Sequence, residues 1–64
     1  MIIIINGYNS KNQSTVIFAG TITEYNDLWT GKTCEFHYAE IEAWRSGVKL
    51  DDWRVSKGRG FGHI

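Results

Sequence analysis

The spacing of hydrophobic positions changes along the chain, and each change predicts a different element. Residues 2–5 are four consecutive isoleucines, and such β-branched runs favour a strand. A continuous apolar run suits a strand that is covered on both faces, and an apolar strand at an edge promotes aggregation, so we expect this one at the centre of a sheet. Residues 14–25 and 33–38 are rich in β-branched residues or alternate apolar with polar ones, as strands do. The first 38 residues therefore predict a three-stranded antiparallel meander.

Beyond this meander the apolar spacing becomes helical. The large apolar side chains recur at separations of 3, 3 and 4 residues: Tyr38, Ile41, Trp44 and Val48. Glu40 and Glu42 lie early in this stretch and Arg45 lies late, as the helix dipole favours. Gly47 then provides a C-terminal stop. The pattern predicts a short helix over residues 39–46.

A final strand completes the predicted fold. Trp53 and Val55 alternate with polar neighbours, which is the pattern of a half-buried strand. We therefore expect an α+β fold in the order β-β-β-α-β, with the meander and the C-terminal strand packed against one short helix. Residues 1–56 form the single domain, and residues 57–64 form a glycine-rich, basic and flexible tail. The expected core is Ile4, Val16, Phe18, Phe36, Ile41, Trp44, Trp53 and Val55.

Composition and charge narrow the class of protein. The 64 residues suffice for one domain, and a hydrophobic content of 42% is too high for a disordered chain. The formal net charge is zero, but residues 24–42 are mainly acidic and residues 43–64 mainly basic. If the fold keeps these halves apart, the protein presents one acidic and one basic face. The alternative is a mixed, solvated surface.

Candidate catalytic and metal-binding groups are few. Cys34 is the only cysteine, which suits a reducing, cytoplasmic environment, and no apolar run approaches the ~20 residues that cross a bilayer. On a strand, Cys34 and His37 point to opposite faces, so we expect a core thiol and an exposed imidazole. Asp51 and Asp52 are adjacent in a turn, where paired catalytic carboxylates rarely meet a common substrate. We therefore expect no enzyme activity, no cofactor and no metal.

The C-terminal residues 57–64, KGRGFGHI, are basic and rich in glycine. Arg59-Gly60-Phe61-Gly62 resembles the longer signature of the RNA-recognition-motif family, and residues 2–6 resemble the shorter one. The resemblance implies that Phe61 stacks on a base and that Arg59 contacts phosphate. The chain departs from the family where Ile3 replaces an aromatic residue and His63 replaces phenylalanine. The alternative function is therefore nucleic-acid binding through Lys57, Arg59, Phe61 and His63.

The aromatic residues support the leading hypothesis. Three Trp, three Tyr and three Phe are more rings than so small a core is expected to bury. The surplus rings either cap the core or contact another protein, for which Trp, Tyr and Arg are the favoured residues. We expect a small binding protein that docks on a larger one, in the style of the occluding inhibitors that viruses and plasmids encode. The predicted contact residues are Tyr25, Trp29, Glu40, Glu42 and Arg54. A homodimer formed through an edge strand is a further alternative.

Overall fold

The computed structural model describes residues 1–62 as one antiparallel sheet and one helix. The elements are β1 (Ile2–Tyr8), β2 (Ser14–Thr21), α1 (Ile22–Trp29), β3 (Tyr38–Arg45) and β4 (Val48–Ser56). Neighbouring strands are antiparallel, and their order across the sheet is β2-β1-β3-β4. The small α+β fold with one short helix is confirmed, but the helix lies between β2 and β3, so the chain order is β-β-α-β-β.

Strand β1 is central, as its isoleucine run predicted. It pairs with β2 on one side and with β3 on the other. Only one of its faces is fully covered, however, because Ile3 and Ile5 are completely buried while Ile2 is exposed and Ile4 half-buried. The odd-numbered isoleucines therefore belong to the core, and the assignment of Ile4 to it was wrong.

Residues 38–45 form strand β3, so the predicted helix over residues 39–46 is wrong. Ala39, Ile41 and Ala43 are buried in strict alternation, and β3 pairs with both β1 and β4. A strand at this place buries these three side chains on one face and forms backbone hydrogen bonds with both β1 and β4, which a helix here would leave unpaired. Ser46 and Gly47 then close the β3–β4 hairpin with φ values of 52° and 79°, as a two-residue type I′ turn requires.

Helix α1 begins at a capping box that follows β2 directly. The Thr21 hydroxyl accepts a hydrogen bond from the Glu24 backbone N–H at 3.2 Å, and the Glu24 carboxylate accepts one from the Thr21 backbone N–H at 3.1 Å. These two bonds satisfy backbone donors that a helix start leaves unpaired. The predicted strand over residues 14–25 therefore ends at Thr21, and α1 turns Tyr25 into the core.

Two irregular segments, residues 30–37 and 57–62, close the fold beyond the β3–β4 ladder. The Cys34 N–H donates to the Arg59 carbonyl at 2.8 Å, and the Gly58 N–H donates to the Cys34 carbonyl at the same distance. The predicted strand over residues 33–38 is reduced to one bridge, between Thr33 and Gly60, before β3 begins. Where the sequence suggested a flexible tail, residues 57–61 pack against the domain, and Phe61 is only 4% exposed.

The core lies between one face of the sheet and a cover formed by α1 and these two irregular segments. Ile41 and Val55 are buried as expected, Cys34 is a core thiol, and His37 is exposed. Val16 is not a core residue, since its side chain is 60% exposed. The buried residues are Ile3, Ile5, Tyr25, Cys34, Ala39, Ile41, Ala43, Val55 and Phe61.

The close approach of Phe36 to β1 gives a first testable prediction. A Cβ added at Gly7 would lie 2.8 Å from three atoms of the Phe36 ring. Gly7→Ala should therefore displace that ring and lower the free energy of unfolding by about 1–3 kcal/mol, as overpacking does. Gly60→Ala is the matched control, because its nearest contact would be the Lys32 carbonyl at 3.8 Å. Urea unfolding of both variants checks this, and equal stabilities would contradict it.

Candidate functional site

The side of the sheet opposite α1 is not covered by any helix or strand among residues 1–62. Helix α1 packs on β1 and β2 from the Ile3–Ile5 side, so the side chains on the other side of β1, β3 and β4 face outward. Residues that are directly paired on neighbouring strands project to the same face of a sheet, so the strand register identifies the residues of this surface. We call it the open face: Ile2, Ile4, Asn6, Tyr8, Tyr38, Glu40, Glu42, Trp44, Lys49, Asp52 and Arg54.

An aromatic stack lies at one end of the open face. Tyr8 and Tyr38 are register partners, and their rings are stacked with centroids 4.5 Å apart and planes 6° from parallel. The Arg54 guanidinium lies 4.5 Å from the centroid of the Tyr38 ring, within cation–π distance. Desolvation, together with the nearby Glu40 carboxylate, raises the pKa of the Tyr8 phenol. The Tyr8 phenol is therefore neutral at physiological pH.

Charged residues of alternating sign run beside this stack. Arg54 contacts Glu40 at 3.0 Å, and the Lys49 ammonium contacts Asp52 at 3.0 Å and Glu42 at 3.9 Å. The Asp52 hydrogen bond raises the pKa of Lys49. Antiparallel pairing of β3 with β4 thus interleaves the acidic half of the chain with the basic half. Of the two sequence-based alternatives, the open face shows the mixed surface.

Three of the five predicted contact residues come together here. Glu40, Glu42 and Arg54 lie on the open face, whereas Tyr25 lies on the far side of the sheet. The Tyr25 side chain is 0% exposed, and its hydroxyl donates a hydrogen bond to the Phe61 carbonyl at 3.0 Å. A partner cannot reach this ring while the domain is folded, so its role in the structure is to anchor the core.

Trp29 also lies away from the open face. It is the last residue of α1, and it is half-buried with its ring centroid 4.1 Å from that of Phe61. The Lys32 ammonium lies 5.9 Å from the centre of the Trp29 ring. These residues help to line a groove of about 480 Å³ with Ile17, Gly31, Thr33, Glu35 and Phe36. The Trp29 indole N–H has no acceptor among the described residues.

The residues predicted to bind nucleic acid are divided by the structure. Lys57 and Arg59 are exposed, Phe61 is buried against Trp29, and His63 lies outside the described residues. In the RNA-recognition-motif family the two signatures lie side by side in the sheet, but here β1 is flanked by β2 and β3. Phe61 lies beyond β4, outside the strands. The stacking surface that the resemblance implied is therefore not formed.

Several residues of the open face had no role in the sequence-based site. Tyr8, Tyr38, Trp44 and Lys49 belong to it, and the Trp44 indole N–H donates to the Glu42 carboxylate at 3.4 Å. The sequence does contain a signal for this face, because residues 38–44 alternate. Large or charged side chains stand at the even positions, and the small or apolar residues Ala39, Ile41 and Ala43 stand at the odd positions. The assignment of a helix there hid the shared face.

Comparison with known proteins gives no family for the chain. No protein-family model, curated protein or solved structure matches it. Within residues 1–62, no cluster of His, Cys, Asp and Glu side chains has the arrangement of a metal site. The helix of that part of the chain is too short to span a bilayer. The candidate function therefore rests on the geometry of the open face.

Proposed function

We propose that the chain is a non-enzymatic binding protein that docks on a larger protein through the open face. The observation that carries this proposal is the uncovered Tyr8–Tyr38 stack with Arg54 held against it. Tyrosine and arginine are among the residues that dominate binding energy in protein interfaces. The face carries one more carboxylate than cations, which disfavours polyanionic phosphate backbones and suits a partner protein of mixed surface charge.

Preorganisation supports this use of the face. The two tyrosine rings and Arg54 already restrain one another, so docking orders few additional side chains and loses little conformational entropy. The ion pairs of Lys49 with Glu42 and Asp52 lie on the same face and fix the orientation of a partner by charge complementarity. A domain of this size bound over a partner's functional surface acts by steric occlusion.

The proposal also includes a compartment. Cys34 is a free thiol, buried in the core without a second cysteine to pair with in the sequence. A small domain stabilised by packing rather than by disulfides suits a reducing environment, so we place its function in the cytoplasm.

Affinity capture with paired baits tests the docking surface. The intact chain and a Tyr38→Ala variant are immobilised, and the proteins retained by each are compared by mass spectrometry. The partner should be retained by the intact chain and lost by the variant. With the purified partner, Tyr38→Ala should weaken the measured Kd by about thirty-fold or more, as expected of an interface hot spot.

A charge-swap pair separates binding from folding. Arg54→Glu should weaken the Kd, and it also breaks the ion pair with Glu40. The double variant Glu40→Arg with Arg54→Glu restores an ion pair of reversed direction, and it should recover stability but not affinity. Asp27→Lys, an exposed charge reversal on α1, should leave the Kd unchanged. If Asp27→Lys abolishes binding while the open-face variants retain it, the proposed surface is wrong.

Nucleic-acid binding has one observation in its favour. Three exposed cations form no ion pair among the described residues: Lys32, Lys57 and Arg59. They lie on two segments that the Thr33–Gly60 bridge holds together. Binding of single-stranded RNA or DNA through them would weaken steeply with salt. The full-length variant with Lys57→Gln and Arg59→Gln would then lose that affinity without losing the fold. Absence of binding at low salt would eliminate this candidate.

A further inference from the structure

The two edges of the sheet differ in the features that normally prevent strand pairing between molecules. Strand β4 forms one edge and carries four charged residues: Lys49, Asp51, Asp52 and Arg54. Strand β2 forms the other edge, and its eight residues, STVIFAGT, include no charge and no proline. Charged side chains and prolines are the usual protection of an edge strand. By this criterion only β2 is open to another strand.

The backbone of β2 is available for such pairing. Among the described residues β2 pairs with β1 alone, so its outward N–H and C=O groups have no strand partner. The Thr21 N–H at its end is already used in the capping box of α1, which leaves residues 14–20. Ile17 interrupts the β1–β2 register as a bulge, and the exposed Val16 precedes it. Pairing is therefore expected on the Val16 side of the bulge.

Symmetry favours a second copy of the same chain as the occupant. Two identical antiparallel edges meet across a two-fold axis, and like charges placed directly opposite each other are destabilising. The middle residue of β4 is Asp52. Two β4 strands paired about their centres would therefore place the Asp52 side chains of the two copies directly opposite each other. Two β2 strands meet with no charge at all and bring the β-branched residues Thr15 and Val16 of both copies to the shared edge.

We propose that the protein self-associates as a dimer in which β2 pairs antiparallel with β2 of a second copy. The axis of such a pair is perpendicular to the sheet, so the two sheets join into one of eight strands. Both open faces then lie on the same side of it and both α1 helices on the other. The dimer presents two open faces in one surface, while each stays available for docking.

Two valines provide a matched test. Val16 on β2 and Val48 on β4 are each 60% exposed, on opposite edges of the sheet. Val16→Lys introduces the charge that edge strands normally carry, and it should raise the dimer dissociation constant at least about ten-fold. Val48→Lys should leave that constant unchanged. Sedimentation equilibrium over a range of protein concentrations measures it, and circular dichroism confirms that each variant is folded.

Amide hydrogen exchange locates the contact independently. In the unmodified chain, protection of residues 14–16, on the Val16 side of the bulge, should increase with protein concentration, and this increase should be lost in Val16→Lys. A monomer at all concentrations overturns the proposal. A dimer disrupted by Val48→Lys but not by Val16→Lys also overturns it and assigns the contact to β4. Because Tyr38 and Arg54 lie away from β2, the open-face variants should keep the dimer, so docking and self-association are tested separately.

Discussion

Replacing Tyr25 with alanine is expected to unfold most of the protein at 37 °C. The side chain is fully buried, its ring meets Phe18 edge-on at 6.2 Å, and its hydroxyl holds the Phe61 carbonyl. Removing a buried aromatic side chain costs about 3–5 kcal/mol, which is close to the whole stability that a single small core supplies. Thermal unfolding followed by circular dichroism measures the effect.

The conservative variant Tyr25→Phe isolates the hydroxyl. It should stay folded and lose about 1–3 kcal/mol, because the buried Phe61 carbonyl is left without its donor. Burial raises the pKa of the Tyr25 phenol. The neutral form is therefore favoured in the folded state, and this contribution to stability is intact below about pH 10 and lost as the pH rises through the raised pKa. Tyr25→Phe should lose less stability at alkaline pH than the unmodified chain.

The outcome also decides what Tyr25 does. A residue that only contacts a partner would tolerate alanine with the fold intact and with binding reduced. A stable, cooperatively folded Tyr25→Ala variant would therefore contradict the core position of the ring and restore it as a contact residue.

Ending the chain after Ser56 should be as damaging as removing Tyr25. The truncation deletes Phe61, the ring against which Trp29 packs, and the backbone partners of Cys34 at Gly58 and Arg59. Burying a phenylalanine side chain is worth about 1.5–3 kcal/mol, and the orphaned backbone groups of Cys34 each add a penalty of about 1–3 kcal/mol. The truncated chain should show no cooperative unfolding transition in urea.

A full-length control separates the packing of this segment from its charge. The variant with Lys57→Gln and Arg59→Gln keeps every backbone hydrogen bond and Phe61, so it should unfold at nearly the same urea concentration as the unmodified chain. A truncated chain with an unchanged transition would show that residues 57–62 are dispensable for folding. Loss of nucleic-acid binding on truncation is thus uninformative unless the truncated chain is shown to be folded.

How far the sequence predicts the fold depends on how local the decisive interactions are. The isoleucine run placed β1 correctly at the centre, and Trp53 with Val55 placed the last strand, since both patterns are intrinsic to short segments. The helix was misplaced because alanine at positions 39 and 43 hides the buried face of β3 from a reading based on large apolar residues. Pairing with β1, which lies far away in the sequence, determines that face.

The start of α1 has a local sequence signal, but it lies inside a run of β-branched residues that favours a strand. Thr21 and Glu24 stand three residues apart, which is the spacing of a capping box, but residues 14–25 were assigned as one strand. The same error hid the helix that carries Tyr25 and Trp29, and so presented two packed rings as contact residues. Glu40, Glu42 and Arg54 were predicted as contact residues, but only the register of β3 with β4 shows that they share a face.

The central position of β1 has a consequence for the kinetics of folding. The β1–β2 and β3–β4 hairpins each close a short turn, whereas the β1–β3 ladder joins Ile2 to Trp44 across most of the chain. Closing so long a loop loses chain entropy before the hydrogen bonds and side-chain contacts of the β1–β3 ladder can offset it. The two hairpins are therefore expected to form first. The rate-limiting event is then the collision of two preformed hairpins along the isoleucine strand.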